Sequence, residues 1–249
     1  MKKLLVLLLT MANAAAIETE PRTFKAADGT EVLYRYAAPA KIKDGEKVPL
    51  VLFLHGSGER GDNNKAQLKH GAKDILKNAE QLDDPVFLIA PQCPNGRWWA
   101  EPQEDRKRLA DAKGPNALLD ALLELVDQTA SEQAVDPDRI YITGLSMGGF
   151  GTWSVLARKP EVFAAAIPIC GAGDPETVGA FKDLPIRIFH GANDDVVPPA
   201  GSQLMFDALK QAGSDAKLTL YPGVGHNSWT RTYNDKEVIR WLLAQTRSD

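Results

Sequence analysis

Three kinds of side chain in this sequence can do chemistry together: one serine, one histidine and one carboxylate. The serine sits in Gly144-Leu145-Ser146-Met147-Gly148. The spacing G-x-S-x-G suits a sharp strand-to-helix turn. Glycines two residues to either side let neighbouring backbone approach where a Cβ would clash, so the hydroxyl projects above a sheet beside the free N–H groups of a helix. The pentapeptide alone is weak, and an ordinary turn is its plain alternative. Its flanks strengthen it. The run "DPDRIYITG" reads as a turn and a strand, and "MGGFGTWSVLARKP" reads as a helix ended by Pro160. The chemistry expected is nucleophilic attack on a carbonyl carbon.

A serine nucleophile needs a base, and the base needs an acid to orient it. The sequence offers four histidines. His55 and His190 each precede a glycine at a strand end, in "LHG" and "FHG". Both read as neutral imidazoles bonded near the site. His70 lies in a polar stretch with helical spacing. His226, in "YPGVGHNSW", follows the last strand and precedes the last helix, and is the expected base. The acid belongs between serine and histidine in chain order, at a strand end. "PIRIFHGANDDVVPP" supplies Asp194, the first carboxylate after the turn. Asp195 is the fallback unless it is a solvated loop carboxylate or a helix cap. Asp174, after the preceding strand, is a more distant rival.

An oxyanion formed at the carbonyl needs two N–H donors. Met147, directly after the serine, is one, and the loop "LHGSGERGDNN" supplies the other, assigned to Ser57. Trp98, Trp99 and Trp229 are candidates for stacking on an aromatic acyl group or a sugar ring. Glu59 and Arg60 either line the pocket or pair with each other at the surface. Trp153 and Trp241 read as core residues of helices.

Positioning these residues takes alternating elements. "TFKAADGTEVLYRYAAP" reads as a hairpin around Asp28-Gly29, and "GEKVPLVLFLHG" and "PVFLIAP" as buried strands. Helical spacing covers the region around 65–82 and "NALLDALLELVDQTASEQ". "FAAAIPIC", "PIRIFHG" and "KLTLYPG" are further strands, and helices in "PAGSQLMFDALKQAG" and "DKEVIRWLLAQT" follow the last two. Apolar strands alternating with helices mean an α/β protein with a mostly parallel twisted sheet covered on both faces, here with an antiparallel hairpin at the N-terminal end. Residues 95–115 form the longest stretch without periodicity. Such loops at strand ends tend to be functional.

The chain of 249 residues suits one domain, and its 44% hydrophobic and 25% charged residues are ordinary for a globular protein. A net charge of −4 and the lack of a basic cluster in the sequence disfavour nucleic acid or a stable membrane anchor as partner. "MKKLLVLLLTMANAAA" has the two lysines, short apolar run and small residues of a secretory signal peptide, cleaved at Ala12-Asn13-Ala14 or Ala14-Ala15-Ala16. The domains expected are therefore a signal peptide over 1–16 and one catalytic domain over 17–249, periplasmic or secreted. Export permits a disulfide between Cys93 and Cys170, although two thiols are favoured. The histidines lack metal-ligand spacing, so neither a metal nor an organic cofactor is expected.

Taken together, "LFLHGSGERGDN", "PQCP", "DPDRIYITGLSMGGFGTW", "IPICGAGD", "FHGANDDVVPP" and "GHNSWTRTY" resemble bacterial α/β-hydrolase esterases of the feruloyl esterase and polyhydroxybutyrate depolymerase type. These sit close to dienelactone hydrolase-like and prolyl oligopeptidase-like enzymes. The resemblance spans nearly all of 48–245. It implies an α/β-hydrolase fold, a Ser146, Asp194 and His226 triad, and an oxyanion hole at Ser57 and Met147; the short segment from Gly171 to Leu184, where lipases often insert a lid, argues against a large one. The resemblance further implies a serine carboxylic ester hydrolase acting on small esters or esterified polysaccharide. Dienelactone hydrolases proper use cysteine where this chain has Ser146, which speaks against their reaction. The alternatives are a serine peptidase or acyltransferase with the same triad and, from another class, a non-catalytic binding protein on the same scaffold.

Overall fold

The computed structural model describes residues 18–247, so the expected signal peptide over 1–16 and its expected cleavage positions lie outside the described residues. Eight strands form one sheet: β1 (Glu20–Lys25), β2 (Glu31–Ala37), β3 (Val48–Leu54), β4 (Phe87–Pro91), β5 (Val135–Leu145), β6 (Ala165–Ile169), β7 (Arg187–Gly191) and β8 (Lys217–Tyr221). Their order is β1-β2-β4-β3-β5-β6-β7-β8. The hairpin of β1 and β2 joins antiparallel to β4, and the pairs from β4 onward are parallel. The sheet is therefore the mixed one expected, with its antiparallel part at one edge.

Six α-helices cover it: α1 (Ala72–Gln81), α2 (Ala117–Glu132), α3 (Met147–Arg158), α4 (Pro199–Gln211), α5 (Trp229–Asn234) and α6 (Lys236–Leu243). β3 shows why both faces must be covered, since all seven of its residues are buried. Leu50, Leu52 and Leu54 point to a core shared with α2, α3 and α4. Val51 and Phe53 point to a second core shared with α1, α5 and α6. Strand side chains alternate between faces, so a strand apolar at every position needs a helical layer on each side.

Three local readings differ from the structure. The helical spacing around 65–82 is two elements, a 3-10 turn at Ala66–Leu68 and α1. Gly71 separates them with φ of 76°, and a Cβ there would lie 2.6 Å from the Tyr233 ring. His70 consequently sits in the bend between the two and not in a helix. The "DPDR" turn lies within β5 as an irregularity, where pairing with β3 jumps from Val48↔Val135 to Leu50↔Ile140. Finally, Trp241 is only half-buried on α6, with the Arg187 guanidinium 4.3 Å from its ring centroid. Trp153, by contrast, is core as expected.

Candidate active site

Four strands deliver the candidate residues at their C-terminal ends. β3 runs into His55 and Ser57, β5 into Ser146, β7 into Asp194 and β8 into His226. In open parallel sheets this edge is where ligands bind, because helix N-termini and free loops converge there.

Ser146 joins β5 to α3 with φ 53° and ψ −116°, a conformation that side-chain-bearing residues rarely adopt. The packing around it enforces the turn. A Cβ at Gly148 would lie 1.9 Å from the Leu54 carbonyl oxygen, so only glycine lets the first turn of α3 press against the end of β3. Ser146 itself is part-exposed at this point.

The hydroxyl reaches a base. His226 Nε2 lies 2.9 Å from Ser146 Oγ, and His226 Nδ1 lies 2.7 Å from Asp194 Oδ2. A carboxylate accepts only, so Nδ1 carries the proton and Nε2 is free to accept from Ser146. Asp194, and not Asp195 or Asp174, is the carboxylate that His226 meets. Asp195 is exposed, and Asp174 caps a 3-10 helix at Pro175–Ala180 by accepting from the Glu176 N–H.

Asp194 is buried and well supplied with donors. Oδ1 accepts from the Val196 and Val197 N–H groups, each at 2.9 Å, and Oδ2 accepts from both His226 and His190, the latter at 3.1 Å. Burial alone would raise its pKa. The hydrogen bonds from His190, His226, Val197 and Val196 outweigh that and hold the carboxyl well below the usual range, so it is ionised. His190 Nε2 faces two pure acceptors, Asp194 Oδ2 and the Val197 carbonyl at 2.9 Å, so this nitrogen carries a proton. Its Nδ1 meets Ser202 Oγ at 2.7 Å. The structure thus puts His190 behind the acid.

His55 has the other structural role. Its Nε2 accepts from the Cys93 N–H at 2.9 Å and its Nδ1 meets the Gly56 carbonyl at 2.6 Å. Burial pushes its pKa down to about 4, so the ring is neutral. Its own carbonyl accepts from Trp99 Nε1 at 3.0 Å. That bond corrects the reading of Trp99 as a substrate contact. Trp99 is fully buried and braces the loop after β3 from below.

The two proposed oxyanion donors stand where that loop meets α3. Met147 is the first residue of α3, and an N–H in that position has no intrahelical acceptor. Ser57 opens a 3-10 turn, Ser57–Glu59, and its N–H has no acceptor among the described backbone bonds of loops and turns.

Glu59 and Arg60 do not pair with each other. Arg60 donates to the Ser57 carbonyl at 3.0 Å and lies 5.5 Å from the Trp98 ring centroid, so Arg60 and half-buried Trp98 form one wall of the loop. Glu59 is 4% exposed, which makes it a support and not a substrate contact; His70 Nε2 lies 3.7 Å from its Oε1. Burial raises the Glu59 carboxyl, against the pull of His70 and Lys69. Trp229 is half-buried and stands edge-on to His226, ring centroids 5.2 Å apart, with the His70 ring centroid 5.6 Å away. No sequence signal points to the contact between His70 and Trp229, which are 159 positions apart.

Cys93 and Cys170 are both buried and unbridged, and burial pushes each thiol up to about 12. Donor atoms of Cys170, Asp194 and His226 lie within 4.8 Å of one another. As a metal site this trio is poor, because the thiol is neutral and the other two groups already bond to each other. Two cavities of about 720 and 380 Å³ are lined by residues other than the triad.

Known proteins place this geometry in context. Residues 89–239 match the model of the Dienelactone hydrolase family. Carboxylesterase SOBER1 of Arabidopsis thaliana is 26% identical over 189 residues, covering 71% of this chain and 82% of its own length. A thermostable esterase of known structure is 39% identical with a TM-score of 0.86, covering 93% of this chain; the chain spans 64% of that protein, less than two thirds. A ferulic acid esterase shares the fold, with a TM-score of 0.70 at 16% identity, covering 91% of this chain and 98% of its own. Family, fold and relatives agree on the enzyme class, a carboxylic ester hydrolase. The chain belongs to the Dienelactone hydrolase family.

Proposed function

We propose that this chain is an exported serine esterase that cleaves feruloyl, acetyl or other short-chain esters, with plant cell-wall polysaccharide esters as the favoured class. The observation that carries the reading is the unbroken relay from Ser146 Oγ through His226 to the Asp194 carboxylate. Ser146 Oγ attacks the ester carbonyl carbon while His226 Nε2 takes its proton. The oxyanion is met by the N–H groups of Ser57 and Met147. Collapse breaks the bond to the alcohol oxygen, which leaves with the proton from Nε2, and an acyl-serine remains. Water then attacks the acyl carbon as Nε2 takes its proton; collapse breaks the bond to Ser146 Oγ, which receives that proton back from Nε2, and the carboxylic acid leaves. Asp194 holds the imidazole tautomer and stabilises its cationic form. Each oxyanion donor contributes about 3 kcal/mol to lowering the barrier.

The part-exposed Ser146 and His226 support access by a bulky substrate, and half-buried Trp229 beside His226 offers an indole to an aromatic acyl group or a sugar ring. Trp98 and Arg60 border the same loop as Ser57. The leader-like N-terminal sequence supports export. Among the described residues no helix is long and apolar enough to cross a membrane. Purified enzyme assayed on acetyl, butyryl, feruloyl and long-chain aryl esters, on peptides, and with an added acceptor alcohol tests the reading. Highest kcat/KM on feruloyl or acetyl esters, lost in Ser146→Ala, is expected. Faster turnover of peptides, or transfer outrunning hydrolysis, replaces it with the peptidase or acyltransferase reading. Unaltered turnover in Ser146→Ala removes the serine mechanism.

A further inference from the structure

The larger cavity, of about 720 Å³, is a recess whose lining the ester chemistry does not use. Arg35, Lys65, Lys69 and Lys73 supply its cations and Glu18 its single acid, with Asn63 and Leu68 between them. Lys65, Lys69 and Lys73 are all exposed and recur every fourth residue. No ion pair among the described residues includes any of the three. Like charges gathered along one recess repel, which costs some stability. The arrangement also runs against a chain whose net charge is −4. The Arg35 guanidinium is already engaged, donating to Thr19 Oγ1 at 3.0 Å and to the Thr19 carbonyl.

What remains is a row of ammonium groups on flexible stems without a free guanidinium fork. Point charges of this kind suit carboxylates spaced along a chain better than a phosphate held bidentately. The row also leads to the triad. Lys69 adjoins His70, His70 packs on Trp229, and Trp229 packs on His226. We propose that this groove binds the carboxylates of an acidic polysaccharide, so that the alcohol part of the substrate is a uronate-bearing glycan whose esterified sugar reaches Ser146 past Trp229. The proposal rests on the reading above that the substrate is an esterified polysaccharide. A recess fits one glycan chain, whereas a bilayer or a duplex needs a broad cationic face.

The test measures binding and so does not depend on turnover. Full-length Ser146→Ala protein is titrated with oligogalacturonate and with neutral xylo-oligosaccharide at about 50 and 300 mM salt, concentrations that bracket effective screening. Oligogalacturonate is expected to bind at least about tenfold more tightly than the neutral oligomer at low salt, and to lose most of that advantage at high salt. Adding Lys65→Gln, Lys69→Gln and Lys73→Gln should weaken oligogalacturonate binding about tenfold and leave binding of the neutral oligomer as it was. Near-ultraviolet circular dichroism and melting confirm that this variant is folded. Equal binding of the two sugars overturns the proposal, and so does a folded triple-lysine variant that binds oligogalacturonate unchanged. Tighter binding of anionic lipid vesicles or a DNA oligomer than of oligogalacturonate also overturns it. Failure of the esterase reading is seen separately, as an absence of ester turnover by the unaltered enzyme.

Discussion

Asp194→Asn gives the sharpest test of the relay. The carboxylate receives four N–H groups, two on Oδ1 from Val196 and Val197 and two on Oδ2 from His226 and His190. An amide has one oxygen, so its NH2 must face one of these pairs. Facing the backbone pair would set donors against two N–H groups that cannot turn away, at about 1–3 kcal/mol for each group left unsatisfied. The amide oxygen therefore stays on Val196 and Val197, and the NH2 faces the two imidazoles. His226 answers by accepting at Nδ1, which moves its proton to Nε2, the nitrogen that must accept from Ser146. The tautomer is then wrong for a base while the geometry is intact. In serine hydrolases the same exchange costs about four powers of ten in kcat, or about 5.4 kcal/mol in the barrier. KM should move little, because no group that touches substrate changes. The assay is steady-state hydrolysis of an aryl acetate at neutral pH, with melting recorded beside it. Stability changes too, with a definite sign. Asp194 has a depressed folded-state pKa, so its contribution is present above the ordinary carboxylate value, about 3.9, and is lost as pH falls toward the folded value. The melting gap between the unaltered protein and the variant should therefore narrow in acid below about pH 4. A folded variant that keeps kcat within about tenfold would refute the tautomer argument outright.

Four more tests address the scaffold. Gly148→Ala places a Cβ 1.9 Å from the Leu54 carbonyl oxygen, a backbone atom that cannot swing aside, and should cost about 3 kcal/mol or more in urea unfolding; an unchanged midpoint counts against this packing. Ser146→Gly and Ser146→Ala should both be inactive, but the glycine variant should be about 1 kcal/mol the more stable, since only glycine relaxes at φ 53° and ψ −116°. Equal unfolding midpoints would remove the strain. Cys93 and Cys170, their thiols pushed up to about 12, should not react with an aromatic disulfide at pH 8 until the protein unfolds, so rapid native labelling contradicts their burial. Glu59 is raised by burial, so its contribution is present below the ordinary value, about 4.3, and is lost as pH rises through the folded value. Glu59→Gln should gain in melting temperature over the unaltered protein between about pH 4 and pH 8, and a constant difference across that range refutes the assignment.

The candidate triad was legible because it depends on local signals read in order. Ser146, Asp194 and His226 each follow a short apolar run, and a parallel sheet brings all such ends to one edge. The sheet was legible for the same reason, as strands buried on both faces leave continuous apolar runs. What stayed hidden was set by contacts distant in sequence. The helical spacing around 65–82 runs on through Gly71, yet the chain turns there because Tyr233, far along the sequence, fills the space beside it. Trp98 and Trp99 are identical in type and adjacent in an aperiodic loop, so nothing local tells which one faces inward. The structure decides it through the His55 carbonyl, which needs a donor and receives Trp99 Nε1. Glu59 reads either as a pocket-lining residue or as one paired with Arg60 at the surface, and it is neither. Its burial follows from how the loop after β3 folds against the elbow, with a Cβ on Gly56 only 3.2 Å from Glu59 Oε2. At six residues, α5 is too short to leave a periodic signature.

His190 shows why Asp194, and not its neighbour Asp195, is the carboxylate that meets His226. β7 ends at Gly191, and its last inward side chain, His190, is fully buried. Its Nε2–H is fixed toward Asp194 Oδ2 and the Val197 carbonyl, while Val196 and Val197 turn their N–H groups onto Oδ1. A carboxylate one position later would meet none of these donors and would face solvent, as Asp195 does. The two halves of the relay are thus held by opposite means. Ser146 is kept in place by a backbone turn with no room to relax, so its hydroxyl stays raised at the cost of strain. Asp194 is kept in place by an excess of donors, so its charge stays buried and ionised without strain. His226 lies between them, part-exposed, with Nε2 on the strained serine and Nδ1 on the ionised carboxylate, so each ring nitrogen meets a partner that is itself fixed.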